Sequence, residues 1–245
     1  MNETIGIVVG LLILSLVSGM LGLGVAFAAV PFLSLFMTDL VHEVQPLSLL
    51  LNGITAAFAA VGFAKSGLID WRKALTLAAV TTVFAPLGSL LAQSTPANVI
   101  WVVYLLAVAY LAYRLFRPIK ERPGEENFRL ALILAAPISI LSGLLGVGPG
   151  FLLMPTLILV GFETKHAAAI NAFAVCPPSF SALLPHLSSA KWDPNLTIAL
   201  LVVGAVSSFA GARITSRWVP SVRLKQGFGV LIVVATAYKL VVVLF

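Results

Sequence analysis

The sequence predicts an all-α polytopic membrane protein made of two inverted repeats, each a Gly-broken helical hairpin followed by three transmembrane helices. Three observations carry that prediction. Of the 245 residues, 60% are apolar and only 10% are charged. The apolar residues fall into runs long enough to cross a bilayer. A glycine-rich motif occurs twice, and both copies lie in overlong runs.

Composition comes first. A soluble domain is about 45–50% apolar and about 25% charged. A chain this apolar, with mean hydropathy +1.07, could not cover a water-facing surface with polar groups, whereas a lipid-facing protein has no such need. The net charge of +6 would suggest nucleic acid in a soluble protein. Here Lys and Arg sit in loops, where they orient a membrane protein. No basic run interleaved with aromatics argues for nucleic acid. Cys176 is the single cysteine, which excludes an intrachain disulfide. The N-terminus, Met1-Asn2-Glu3-Thr4, lacks a basic region and reads as a retained membrane segment.

The runs are 5–37, 44–64, 74–93, 97–116, 130–162, 167–187, 196–214 and 228–245. Six approach the ~20 residues of one spanning helix, and the first and fifth are longer. The one long polar loop, 117–129, contains Pro118, Pro123 and Gly124. The expected organisation is a first membrane repeat over 1–116, a cytoplasmic linker over 117–129 and a second repeat over 130–245.

The halves match in order. Ser18-Gly19-Met20-Leu21-Gly22-Leu23-Gly24 pairs with Ser142-Gly143-Leu144-Leu145-Gly146-Val147-Gly148 at an offset of 124, as do Pro31 with Pro155 and His42 with His166. An offset of 123 pairs Asp70 with Asp193 and Gly88 with Gly211. An internal duplication explains this order. Charge then favours inversion. Eight single crossings would strand Arg213, Arg217, Arg223 and Lys225 outside. If each long run is instead a hairpin that returns to its starting face, each half has three single crossings and the halves are inverted. With the N-terminus outside, all the Lys and Arg except Lys191 and Lys239 then lie inside, as the positive-inside rule requires. Hairpin arms of about 21 Å (5–18) and about 20 Å (25–37), at 1.5 Å per residue, suit a re-entrant element. Two thin full crossings would give the same parity.

The glycines mark the candidate site. Non-helical backbone at membrane depth must be buried in protein or line a wet cavity. Gly22, Gly24, Gly146, Gly148 and Gly150 permit such a break, and Pro149 suits the first turn of a following helix. Half-helices are expected to start at Val25 and near Gly150, with unpaired first N–H groups and a positive dipole end facing the break. Two such termini would bind an anion without a buried Lys or Arg. The plainer reading is small residues for close helix packing. Pro31 and Pro155 read as kinks in the return arms.

Ionisable residues stay at segment ends: Asp39, Glu43, Asp70, Glu163 and Asp193. None forms a buried proton relay. His42, His166 and His186 read as interfacial polar residues, with proton sensing as the sharper alternative for the first two. Uncharged polar residues lie within the apolar runs: Ser48, Asn52, Asn171, Ser179 and Ser181. Ser48 and Asn171 match at an offset of 123. They could complete an anion's hydrogen bonds, or tie helices together at about 0.6 kcal/mol each. Cys176-Pro177-Pro178-Ser179 is expected to break or bend its segment.

The motif at 142–155, Ser-Gly-Leu-Leu-Gly-Val-Gly-Pro-Gly-Phe-Leu-Leu-Met-Pro, and its weaker copy at 18–31 resemble the hallmark of the sulfite exporter TauE/SafE family. Gly67-Leu68-Ile69-Asp70-Trp71-Arg72 and Gly211-Ala212-Arg213 are similar to that family as well. The resemblance covers essentially the whole chain. It implies a multi-pass transporter of the bacterial or archaeal inner membrane for sulfite or organosulfonates. Its binding region would be Gly22, Gly24, Gly146, Gly148, Gly150 and the helix starts after them. The chain departs from the family's three-glycine run. It has Gly24-Val25-Ala26 in one half and Gly148-Pro149-Gly150 in the other.

The expectation is a secondary transporter for a small anion, with substrate contacts at Gly22, Gly24, Val25, Ser48, Asn52, Gly146, Gly148, Gly150, Asn171 and Ser179. A small-anion channel or uniporter using the same breaks is the alternative. No catalytic pairing argues for an enzyme, and no P-loop motif argues for ATP. No cofactor or metal is expected. The expected partners are the anion and the lipid bilayer. Oligomeric state is left open, with a homodimer as one allowed assembly.

Overall fold

The computed structural model describes residues 2–115 and 125–220. The eighth apolar run, most of the mid-chain linker and the basic residues Arg223, Lys225 and Lys239 lie outside the described residues. Among the described residues nine α-helices follow one another: α1 Asn2–Leu21, α2 Ala26–Leu33, α3 Gln45–Ala64, α4 Trp71–Ser94, α5 Ala97–Leu115, α6 Phe128–Leu145, α7 Gly150–Leu159, α8 Thr164–Leu183 and α9 Pro194–Trp218. A π-turn, Leu40–Val44, leads into α3, and a 3-10 turn, Leu184–His186, follows α8. Among the described residues, six helices are long and apolar enough to cross a membrane: α1, α3 with its π-turn, α4, α6, α8 with its 3-10 turn, and α9. The outward faces carry large apolar side chains such as Ile13, Val83, Ile133 and Val206, as lipid contact requires.

Helix starts follow local chemistry. Asp70 and Asp193, matched by the repeat offset, both cap the helix that follows them. The Asp70 carboxylate accepts from the Lys73 amide, and Asp193 accepts from Asn195 and Leu196. Prolines inside helices free a carbonyl four residues back, and hydroxyls from neighbouring helices take up three of these. Ser181 donates to Thr82 O, freed by Pro86. Thr81 donates to Ala174 O, freed by Pro178. Tyr104 donates to Phe27 O, freed by Pro31. Membrane helices tolerate proline on this condition. With Ala174 O satisfied, α8 runs unbroken through Pro177 and Pro178. The expected break at Cys176–Ser179 is therefore absent.

The two long runs do break, but unequally. α1 has 20 residues and α2 only 8, about 30 Å and 12 Å at 1.5 Å per residue. α6 and α7 have 18 and 10. The expected equal arms are corrected, because the helix does not stop at Ser18-Gly19. Instead Gly22 and Gly146 end it, with φ of 63° and 67°. In each half the glycine amide returns to the carbonyl three residues back, and the next amide returns to Ser18 O or Ser142 O. This is the Schellman arrangement, which needs a left-handed residue.

Gly19 and Gly143 serve packing instead. A Cβ on Gly19 would collide with the Ser208 carbonyl of α9, and one on Gly143 with the Ala85 carbonyl of α4. Gly211 and Gly88 sit equally tightly against Leu16 and Ile140. Thus α1 of the first half packs on α9 of the second, and α6 of the second on α4 of the first. α3 and α8 pack against each other in the middle. Positions matched by the repeat offset make matched contacts.

Candidate functional site

The two breaks meet between α3 and α8. Phe27 and Phe151, matched at an offset of 124, stack ring on ring with centroids 5.5 Å apart and planes within 1°. Tyr104 stacks on Phe151 at 6.3 Å. A Cβ on Gly150 would strike the Leu23 carbonyl of the other break. Residues 21–31 and 145–155 are all buried, so this conformation encloses both breaks.

Every sequence-predicted site residue lies at this junction or on the helix faces beside it. Gly22, Gly24, Gly146 and Gly148 hold φ between 63° and 70°, a region closed to most side chains. Asn52, on α3, sits between the two breaks. A Cβ on Gly24 would meet its Oδ1, and one on Gly148 would meet its Nδ2. Its Nδ2 donates to Ser179 Oγ (2.8 Å), and Ser179 Oγ donates to Val175 O (2.6 Å). Asn171, on α8, donates to Gly22 O (2.7 Å) and Gly150 O (3.2 Å). Ser48, its repeat mate, is buried with its hydroxyl unpartnered among the described residues.

The two breaks differ at two amides: the expected unpaired N–H groups are corrected at Val25 and Ala26, whereas Gly24 and Phe27, like their mates Gly148 and Phe151, have no acceptor among the described residues. At the start of α2, Val25 N–H donates to Thr55 Oγ1 (3.2 Å) and Ala26 N–H to Asn52 Oδ1 (2.9 Å). At the start of α7, Pro149 has no N–H. Among the described residues no acceptor takes the amides of Gly148, Gly150 or Phe151. The cause is in the sequence. Thr55 corresponds to Pro178 and Asn52 to Val175, neither of which offers a side-chain acceptor. Val175 instead sets its Cγ2 2.6 Å from a Cβ position on Gly150. Thr55, Tyr104 and the phenylalanine pair were missed by sequence reasoning. The 123-residue offset could have exposed Thr55, because Thr against Pro at matched positions is a visible inequality.

Two clefts lie at equivalent places outside the breaks. One, of about 320 Å³, lies between Met37-Glu43 and Lys191-Trp192-Asp193. The other, of about 360 Å³, lies between Phe162-Glu163-His166 and Gly67–Asp70. A carboxylate–imidazole pair occurs at matched positions in the two halves: Glu163–His166 (3.2 Å) lines the second cleft, and Asp39–His42 (2.9 Å) lies in the chain between Met37 and Glu43, which line the first. An ion pair marks each cleft: Lys191, which lines the first, pairs with Asp39 of the other half at 3.1 Å, and Lys73 pairs with Glu126 of the linker at 2.7 Å in the second. Burial alone would raise the Asp39 pKa. The His42 amide, the Lys191 ammonium and the His42 ring reverse that and lower it to about 2.

The sulfite exporter TauE/SafE profile matches residues 6–239. A probable membrane transporter protein of Sinorhizobium fredii is 28% identical over 200 residues, covering 78% of this chain and 80% of its own length. A namesake from Xylella fastidiosa is 27% identical over 235 residues, 90% and 88% of the two chains. One from Methanocaldococcus jannaschii is 23% identical over 194 residues, 76% and 71%. No solved structure matches. The profile match spans nearly the whole chain, across both breaks and the helices that bracket them, and the chain belongs to the sulfite exporter TauE/SafE family.

Proposed function

We propose that this multi-pass membrane protein is a secondary transporter that carries a small anion, of the sulfite or organosulfonate kind, across the inner membrane of a bacterium or archaeon. The single observation that carries the proposal is the set of buried amides at Gly148, Gly150 and Phe151 that have no acceptor among the described residues. They stand at the positive end of α7, where an anion is favoured without any buried cation. The family and the names of its relatives support the transporter class. The two halves are inverted, as the placement of basic residues favours, and one moves against the other to expose the junction to each side in turn. The two clefts are the approaches, and the Lys191–Asp39 and Lys73–Glu126 pairs must part for them to open. A junction buried from all sides favours alternating access over a continuous pore.

The test is a thermal-shift screen of purified protein against sulfite, thiosulfate, sulfonates, carboxylates and phosphate. A bound anion raises the melting temperature by mass action, by about 2.7 kcal/mol of stability at one hundred times its Kd. A sulfur oxyanion should give the largest rise. If no anion raises it at millimolar concentration, the proposal fails.

A further inference from the structure

Asn171 touches both breaks at once. Its Nδ2 donates to Gly22 O and to Gly150 O. Two carbonyls on one nitrogen fix the orientation of the amide, because a flipped group would set oxygen against oxygen. Oδ1 is therefore the free end. It is fully buried and has no donor among the described residues. A buried acceptor left without a donor needs an explanation, such as a guest. The same side chain reaches Gly150, whose amide, like those of Gly148 and Phe151 beside it in the chain, has no acceptor among the described residues. Unused donors and one unused acceptor at a single buried place suit a guest with the converse set: several anionic oxygens and one hydroxyl.

Charge points the same way. Neither hairpin contains a Lys or Arg between residues 20 and 33 or between 142 and 159, and the α3 and α8 faces around them contain none between 45 and 64 or between 166 and 183. The positive potential comes only from helix termini, each worth about half an elementary charge. Two termini balance about one negative charge. A dianion would bring a second charge into a low-dielectric site with nothing to meet it.

We propose that the cargo is held as a singly charged oxyanion that keeps one O–H, and that Asn171 Oδ1 accepts from that hydroxyl. This rests on the anion-transport reading above. It adds the protonation state of the cargo and names the residue that selects it. A sulfonate, which is a permanent monoanion without an O–H, fits the amides and lacks the last hydrogen bond.

The test titrates the purified full-length protein calorimetrically with sulfite, methanesulfonate and sulfate between about pH 6 and pH 9. Affinity for total sulfite should fall about tenfold per pH unit above its second ionisation, tracking the protonated monoanion. Methanesulfonate should bind several-fold more weakly than hydrogen sulfite, with no such slope, and sulfate at least tenfold more weakly. His42, Glu43, Tyr104, Tyr110, Tyr113, Lys165, His166, Cys176 and His186 lie on the elements around the junction, and any charge they carry acts on sulfite and methanesulfonate alike. The ratio of the two affinities therefore isolates the cargo's own proton. Asn171→Leu should erase the preference for hydrogen sulfite over methanesulfonate, and the pH series on the unmodified chain stands even if that variant fails to fold. Sulfite affinity that is flat or rising with pH, or sulfate binding as well as hydrogen sulfite, overturns the inference while leaving an anion site. If none of the three binds at any pH, the anion reading itself falls, and this inference with it.

Discussion

The two glycine breaks share a motif, a backbone path and a place at the junction, yet among the described residues side chains cap two amides at the start of α2 and none at the start of α7. In the first, Thr55 and Asn52 take the Val25 and Ala26 amides. In the second, Pro149 removes one donor and Pro178 and Val175 remove both acceptors, leaving the Gly150 amide without the partner that its mate Ala26 has. The paired change is informative. Loss of the Thr55-type acceptor is matched by loss of the Val25-type donor, so no buried N–H is stranded at that position. The amide at Gly150 has no such compensation. Duplicated units can therefore divide labour, one break serving as a fixed strut and the other as a seat.

That contrast can be broken by substitution, and the largest effect is expected at Gly148. Gly148→Leu forces a side chain into the left-handed region, against Asn52 and Ser179. It should abolish anion uptake in proteoliposomes while the protein still inserts. Normal uptake would remove the second break from the mechanism.

Next in size is Val175→Asn, which copies Asn52 into the second half. An amide oxygen there would take the Gly150 N–H and compete with the anion. Losing one charge-assisted hydrogen bond is worth about 1.5–3 kcal/mol, so anion affinity by calorimetry should fall by about tenfold or more. Unchanged affinity would mean the anion does not use that amide.

The first break is probed by Thr55→Val, which strands the buried Val25 amide at a cost of about 1–3 kcal/mol. Adding Val25→Pro removes the stranded donor, as Pro149 does in the second half, and should restore most of the stability. Thermal melts of the two variants, with anion affinity unchanged in both, would confirm a structural role. A double variant no more stable than the single one would show that the paired change is not compensation.

The smallest effect concerns the outer cleft. Asp39 has a pKa of about 2 in the folded protein, below its ordinary 3.8. A depressed carboxylate pKa adds stability that is fully present above the ordinary value and is lost as pH falls through the folded one. The Asp39 contribution should therefore persist at neutral pH and fade between about pH 4 and pH 2. Asp39 is partly exposed, so the loss is about 0.2–1 kcal/mol. Asp39→Asn should lower the melting temperature slightly at pH 7 and make no difference near pH 2. An equal deficit at both pH values would rule out the ion pair as its cause.

Much of this was legible in the sequence. The helical membrane class, the break positions and the polar residues at the junction all followed from composition and from glycines matched at a fixed offset. Three features were not. α8 was expected to break or bend at Cys176–Ser179, and it does not break, because Thr81 from another helix satisfies Ala174 O, a contact that sequence alone cannot show. The hairpin arms were expected to be equal, because Gly19 reads like Gly22 until its contact with Ser208 is seen. The capping of the first break depends on Thr55 lying 30 residues from Val25 in the chain and 3.2 Å from it in space. Each miss is a long-range contact that overrides a local signal.

The most direct measurement is amide hydrogen exchange with and without a saturating sulfonate, read on peptides covering residues 22–29 and 146–153. The anion should slow exchange most in the second peptide, where the Gly150 amide has no acceptor among the described residues, and less in the first, where Thr55 and Asn52 already hold the Val25 and Ala26 amides. Protection confined to the first peptide, or equal in both, would contradict the account.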